Sequence, residues 1–351
     1  SIAAPAGSSL LVIGGIDLWS ADLARGVNWT NLTNAYGSGT VHADEHAIVA
    51  VDANHWYIGN DGGIWSTANA GTTWSNLNAT LGMIQFYSVT PDPTTAGRLL
   101  GGSQDNGTAL GSGLSAQQRS WNLVWGGDGG HTAINPANPQ QLFTENFNVS
   151  LRRSDDGGAN FSTTVVDTKT ITDPSEFYVP FGLGPQDPGT AYLATTRVWR
   201  GPATASGGVG WAAISPDLTH PNLNSQEQDD LTAIAVAPSS ADVIYAGAFD
   251  GSISVTTDAS AATPTWTQLS GAGGPVSAIA VSPTDPNTVY WGMGFIGQIA
   301  SIFKTSAGKT VDISGNLPGT PINAIVIDPA NPSDIFIATD VGVFAAGDGG
   351  T

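Results

Sequence analysis

The chain has 351 residues, 45 of them Gly, 21 Pro and 11 Trp, with 40% hydrophobic and only 11% charged residues. That balance excludes a disordered chain and argues against a helical one. A net charge of −19 with no basic run excludes nucleic-acid binding, and the absence of Cys excludes disulfides and thiol chemistry.

In chain order, residues 1–34 read as the second, third and fourth strands of a partial first unit, with no first strand. Further units begin near residues 42, 84, 129, 176, 230, 276 and 321. The clearest first strands are Leu231–Val236, Val276–Val281 and Ile322–Ile327, each alternating and each closed by Pro, Asn or Asp. A period of about 45 residues with four short strands per unit is the signature of propeller blades. The expected fold is therefore all-β: a β-propeller of four-stranded antiparallel blades, seven favoured and eight the alternative. Residues 1–351 form one such domain, and residues 335–351 end an incomplete last unit. Its final Asp348-Gly349-Gly350-Thr351 stops just before an expected aromatic. With both ends ragged, the chain reads as a piece of a longer protein, completed by further blades or another subunit. No apolar run is long enough for a membrane span.

The third strand of most units runs into a polar turn closed by an aromatic. The least eroded copy is Ser154-Asp155-Asp156-Gly157-Gly158-Ala159-Asn160-Phe161. Thr67 to Trp74 keeps the frame with Asn69 for Asp, Asp22 to Trp29 keeps Gly26, and Thr256-Thr257-Asp258 begins a copy with a longer loop before Trp266. Asp caps backbone amides in such turns and Gly takes positive φ without strain. Trp29, Trp74, Trp121, Phe161, Trp211 and Trp266 each open a predicted fourth strand, where large rings pack the core.

This Ser-x-Asp-x-Gly-x-x-Phe turn, with Ser154, Asp156, Gly158 and Phe161 as its structural residues, resembles the Asp-box, or bacterial neuraminidase repeat. The repeat occurs in sialidases, xyloglucanase-type glycoside hydrolases and sortilin-like propellers. Val41-His42-Ala43-Asp44-Glu45-His46-Ala47, Gly59 to Ile64, Gly102 to Gly107, Gly126 to Gly130, Ser314 to Pro318 and Asp340 to Phe344 resemble landmarks of bacterial glycosyl hydrolase-like repeat proteins. The resemblance implies the C-terminal propeller of a longer secreted protein, placed outside the cell, on its surface or in the periplasm. Sialidase chemistry needs three arginines aimed at one centre. Arg25, Arg98, Arg119, Arg152, Arg153, Arg197 and Arg200 do not recur at one strand position.

Propeller topology puts the loops between fourth and first strands, and between second and third, on one face, opposite the Asp-box turns. His42, Asp44 and His46 enter one first strand; Asp61 follows the second strand of that unit. Gln104, Asp105 and Asn106 follow the next second strand, Asp128 and His131 enter a further first strand, and Glu145 ends its second. Two site chemistries follow. His42, Asp44 and His46, sharing a face of a strand by period two, would hold a divalent cation, the one cofactor the sequence suggests. Alternatively, the acids and amides bind sugar hydroxyls while Trp56, Trp65 or Trp125 stacks on a ring. The competing reading is turn chemistry, because Asp17, Asp61, Asp105, Asp250 and Asp340 recur after second strands. The functional expectation is a binding or scaffold module for polysaccharide or a protein partner. The alternative is a glucan- or xyloglucan-type glycoside hydrolase working with a further propeller, two carboxyls serving as acid and base.

Overall fold

The computed structural model describes residues 1–113, 115, 120–220, 230–269, 273–294 and 301–347. The expected ending at Asp348 to Thr351 lies outside these. Among the described residues there is no α-helix, and every strand belongs to one of eight antiparallel sheets, consistent with a propeller-like fold. Seven sheets have four strands and the eighth has three, all in sequential meander order. Sheet 1 comprises Ile2–Ala3, Leu10–Gly14, Leu18–Asp22 and Thr30–Asn31; sheet 2 Ala47–Ala50, Trp56–Asn60, Gly63–Thr67 and Ser75–Asn76. Sheet 3 comprises Ser88–Pro91, Leu99–Ser103, Gly107–Gly111 and Trp121–Trp125; sheet 4 Thr132–Ile134, Leu142–Glu145, Ser150–Ser154 and Thr163–Asp167. Sheet 5 comprises Phe181–Leu183, Thr190–Ala194, Val198–Pro202 and Ala212–Ala213; sheet 6 Leu231–Val236, Ile244–Ala248, Ile253–Thr256 and Trp266–Leu269. Sheet 7 comprises Val276–Val281, Val289–Met293, Ser301–Ser306 and Lys309–Asp312; sheet 8 Ile322–Ile327, Ile335–Thr339 and Gly342–Ala346.

The three alternating stretches at Leu231, Val276 and Ile322 are strands over the residues expected. One expectation is corrected: the first unit does have a first strand, Ile2–Ala3, with Ile2 paired to Ile13 and Ala3 to Val12. Two residues are too few to carry a period-two signal.

The chain forms two compact units. The first holds residues 1–86 and 103–106, and the second residues 87–102 and 107–351. In unit 1 one core, with Val12, Leu18, Trp56 and Ile58 fully buried, lies between sheets 1 and 2. In unit 2 the core is a series of lenses, each between two consecutive sheets. Leu100, Leu142 and Phe161 lie between sheets 3 and 4; Phe143, Val166 and Leu193 between 4 and 5. Ile244 and Val198 lie between 5 and 6, Val276 and Trp291 between 6 and 7, Ile302 and Ile335 between 7 and 8.

Glycines in second strands let these sheets approach. A Cβ on Gly247 would lie 2.4 Å from Val276, and one on Gly292 2.6 Å from Ile322, each neighbour being on the first strand of the next sheet. First strands are also laced directly: Thr90 Oγ1 donates to Thr132 O at 2.7 Å, and Thr232 Oγ1 to Val276 O at 2.7 Å. Three arginines fasten the sheets elsewhere by donating to backbone carbonyls. Arg98 reaches Pro139 and Gly157, Arg153 reaches Ala203 and Ala205, and Arg200 reaches Ala259.

The polar turn recurs with one geometry between third and fourth strands. Ser154 Oγ donates to Asp156 Oδ1 (2.7 Å) and accepts from Gly158 N (2.9 Å), while Asp156 Oδ1 accepts from Asn160 N (2.9 Å). Thr67, Asn69, Gly71 and Thr73 repeat these contacts at 2.9–3.0 Å. Thr256 and Asp258 keep two of the three across the longer loop: Thr256 Oγ1 donates to Asp258 Oδ1 and Thr265 N replaces the nearer amide, both at 2.8 Å, while Ser260 N turns to Asp242. Phe161 and Trp211 are buried, as expected of core rings, but Trp29 is 40% exposed, which corrects its assignment to the core. Trp74 and Trp266 are half-buried. Each indole N–H donates to the carbonyl just after the preceding fourth strand, Leu32 O and Ile214 O.

Candidate functional site

The sequence-predicted residues fall into two groups, one in each unit. In unit 1, residues 41–46 are a loop, not the strand expected, because Asp44 adopts φ +66° and breaks the alternation. His42, Asp44 and His46 therefore do not present one face. The loop is pinned by backbone bonds from Asp44 N to Ile16 O and from Glu45 N to Gly15 O, at 2.9 and 2.7 Å.

The His42 ring is occupied by backbone: Nε2 lies 2.8 Å from Asp105 O and Nδ1 3.1 Å from Ala43 O. It packs on Gly62, where a Cβ would come within 2.4 Å of it. Asn106 Nδ2 donates to Asp61 O at 2.9 Å, and the Gln104 carbonyl accepts from Asn106 N at 2.7 Å while the Gln104 side chain is exposed. These bonds tie together the loop at 41–46, the turn at Asp61 and the turn at Asp105. Their product is a group of three half-buried carboxylates, Asp44, Asp61 and Asp105, with ligand atoms all within 4.8 Å of one another. His46 Nε2 sits 2.5 Å from Asp61 Oδ1, a contact that orients this carboxylate.

The structure thus joins Asp44 to Asp61 and Asp105, rather than to His42 and His46. An all-oxygen set suits a hard cation such as Ca²⁺, or sugar hydroxyls, better than the imidazole-rich set suited to zinc. Of the other recurring Asp residues, Asp17 serves its own turn. Burial raises its carboxyl, but bonds from Ala35 N, Asn31 and Thr33 outweigh this and hold it below the ordinary range. Asp250 accepts from Ser252 N and Asp340 from Asn323.

Sequence reasoning passed over Glu45. It is buried, Oε1 has no hydrogen-bond partner, and burial lifts its carboxyl to about 7.

In unit 2, His131 N donates to Glu145 Oε1 at 2.9 Å. Burial alone pushes the His131 imidazole down to about 4, and burial drives Glu145 well above the carboxylate range. Burial thus disfavours the charged form of both groups. His131 faces Tyr87 and Phe181, with ring centroids 5.3 and 6.5 Å away. Asp128 is half-buried in the loop before Thr132–Ile134. The expected tryptophan platform is corrected: Trp56 and Trp65 are buried, Trp56 donating to Asp52 O, and Trp125 lies between Phe161 and Arg152. Alternation within the second and third strands of sheet 2 turns Trp56 and Trp65 inward. Tyr87, Phe147 and Phe177, none of them in the expected set, are among the exposed rings. An aromatic between two Asn in the turn Asn146-Phe147-Asn148, where sister turns have Asp and Gly, was the available signal for one of them.

No protein-family model matches this chain, and no curated protein does.

Proposed function

We propose that the chain is a β-propeller of the Asp-box type, of seven or eight blades, acting outside the cytoplasm as a binding module for polysaccharide. Seven complete meander sheets, an eighth of three strands, and the recurring Ser/Thr–Asp turn support the propeller reading. The observation that carries the binding function is the convergence of Asp44, Asp61 and Asp105 from three separate loops of unit 1. Three fixed carboxylates are strong acceptors for vicinal hydroxyls, directly or through a bound Ca²⁺.

The glycoside hydrolase alternative requires an accessible protonated carboxyl beside a carboxylate. The two carboxyls that burial raises above the ordinary carboxylate range, Glu45 and Glu145, are both buried.

Electrophoresis through gels containing neutral polysaccharides, with and without Ca²⁺, tests the proposal. The Asp44→Asn/Asp105→Asn variant is expected to lose retardation. Equal retardation of wild type and variant in every gel would remove these carboxylates from binding. Retardation in none would favour a protein partner.

A further inference from the structure

Unit 2 carries an aromatic surface that the carboxylate group does not explain. Phe147 lies in the turn between Leu142–Glu145 and Ser150–Ser154, Phe177 in the connection entering Phe181–Leu183, and Tyr87 just before Ser88–Pro91. In a meander sheet these positions share one end, opposite the turns between third and fourth strands. Their exposures are 49%, 46% and 54%. The Phe147 and Phe177 rings are stacked at 5.8 Å with planes 21° apart. Phe177 meets Tyr178 edge-on at 4.9 Å, and Tyr178 leans on Tyr87 at 4.3 Å.

The rings are held in place. Asn148 N donates to Phe177 O at 2.8 Å, fixing the two phenylalanine loops side by side, and Asn146 Oδ1 caps Phe147 N at 2.9 Å. Asn148 takes φ +54°, so its turn keeps Phe147 outward by a locally strained backbone. Burial, with smaller contributions from Glu145 and Glu176, pushes the Tyr87 hydroxyl up to about 12. The Gly126–Gly130 loop borders this surface without side-chain bulk. A Cβ on Gly127 would sit 2.7 Å from Asn146 Nδ2, and one on Gly130 2.4 Å from Tyr178. Asp128 lies between these two glycines.

Size and charge select the occupant. Three half-exposed rings offer roughly 300 Å² of apolar surface, under half of the ~800 Å² that each partner of a stable protein complex contributes. A chain of net charge −19 repels uronate-rich or sulfated polymers. Flat, fixed rings bordered by amides and a carboxylate match the apolar face and equatorial hydroxyls of an uncharged pyranose.

We propose that Phe147, Phe177 and Tyr87 form a stacking platform for the sugar rings of a neutral polysaccharide, with Asn146, Asn148 and Asp128 supplying hydrogen bonds at its border. This rests on the polysaccharide reading above and adds a second, apolar subsite to it.

The test is affinity electrophoresis in gels containing hydroxyethylcellulose, xylan or galactomannan, comparing wild type, Phe147→Ala/Phe177→Ala, Phe147→Tyr/Phe177→Tyr and Asp44→Asn/Asp105→Asn. The alanine pair is expected to weaken binding roughly tenfold or more, as loss of an aromatic hot spot does, and the tyrosine pair to restore it. Both pairs sit on half-exposed positions, and an unchanged circular dichroism spectrum marks an intact fold. If the alanine pair binds like wild type while the carboxylate variant is weakened, the platform is overturned and the polysaccharide reading stands. If wild type is retarded in no gel, the polysaccharide reading falls and the platform falls with it.

Discussion

Replacing Glu45 by Gln should stabilise the protein at pH 8 and leave it nearly unchanged at pH 4. Glu45 is 4% exposed. Its Oε1 has no hydrogen-bond partner, and its Oε2 receives only a long 3.5 Å bond from Asn60. Burial raises the carboxyl to about 7. The Asn60 bond and the nearby His42 and His46 pull it back only partly, and the Asp17 charge pushes it further up. In the unfolded chain the same acid titrates near its ordinary value of 4.5. The folded state therefore binds more protons than the unfolded state between those two pH values. Stability is greatest below about pH 4.5, falls as pH rises through the window, and stays reduced above about pH 7. The window corresponds to at most about 3 kcal/mol at 1.36 kcal/mol per unit. Gln keeps the shape and the Asn60 contact without the charge, so at pH 8 it should recover up to that amount. Urea denaturation followed by tryptophan fluorescence suits the assay, because Trp56 and Trp65 lie in the same core as the loop that carries Glu45. A difference between variant and wild type that is the same at pH 4 and pH 8 would refute the reasoning. So would a variant less stable than wild type at pH 8.

The His131 and Glu145 pair should show opposite pH slopes when separated. His131, depressed to about 4, loses stability as pH falls from about 6.5, and Glu145, raised, loses it as pH climbs above about 4.5. Denaturation midpoints of His131→Phe should fall with rising pH between 4.5 and 6.5, and those of Glu145→Gln should rise. Ser154→Ala removes the donor to Asp156 and the acceptor of Gly158 N, and should cost about 1–3 kcal/mol in the same assay. Trp291→Ala empties a fully buried site stacked on Phe303 at 4.4 Å and should cost about 3–5 kcal/mol or prevent soluble expression.

The fold was legible where burial is periodic. First strands such as Leu231–Val236 alternate over six residues, and their Pro- and Asn-rich ends mark where pairing must stop. It was illegible where strands are two residues long, as at Ile2–Ala3, since so short a stretch has no period. The site failed for a related reason. The spacing of His42, Asp44 and His46 reads as period two only if the backbone is extended, and Asp44 is left-handed. Asp61 and Asp105 stand among the candidate binding residues, but their recurrence after successive second strands also fits turn chemistry, and the sequence pattern does not join them to Asp44 as a carboxylate group. Equivalent positions in consecutive repeats are also the positions that such an architecture brings close together. Repetition was therefore itself the signal that these two carboxylates belong to one group.

The two ends of the sheets differ in how their turns are held. At the polar turns, Asp156 accepts from Asn160, Ser154 and backbone amides, and these bonds hold its carboxyl down at about 2. Its acceptor capacity is directed into its own turn, which these bonds hold together. At the opposite end the holding bonds run the other way. His42 and Asn106 use their side chains on the backbone carbonyls of Asp105 and Asp61. The backbone of these turns is fixed by neighbours, and the aspartate side chains gather as a half-buried group. Under the proposed binding function the ligand site belongs at that end, where imidazole and amide groups hold the backbone and the three carboxylates converge.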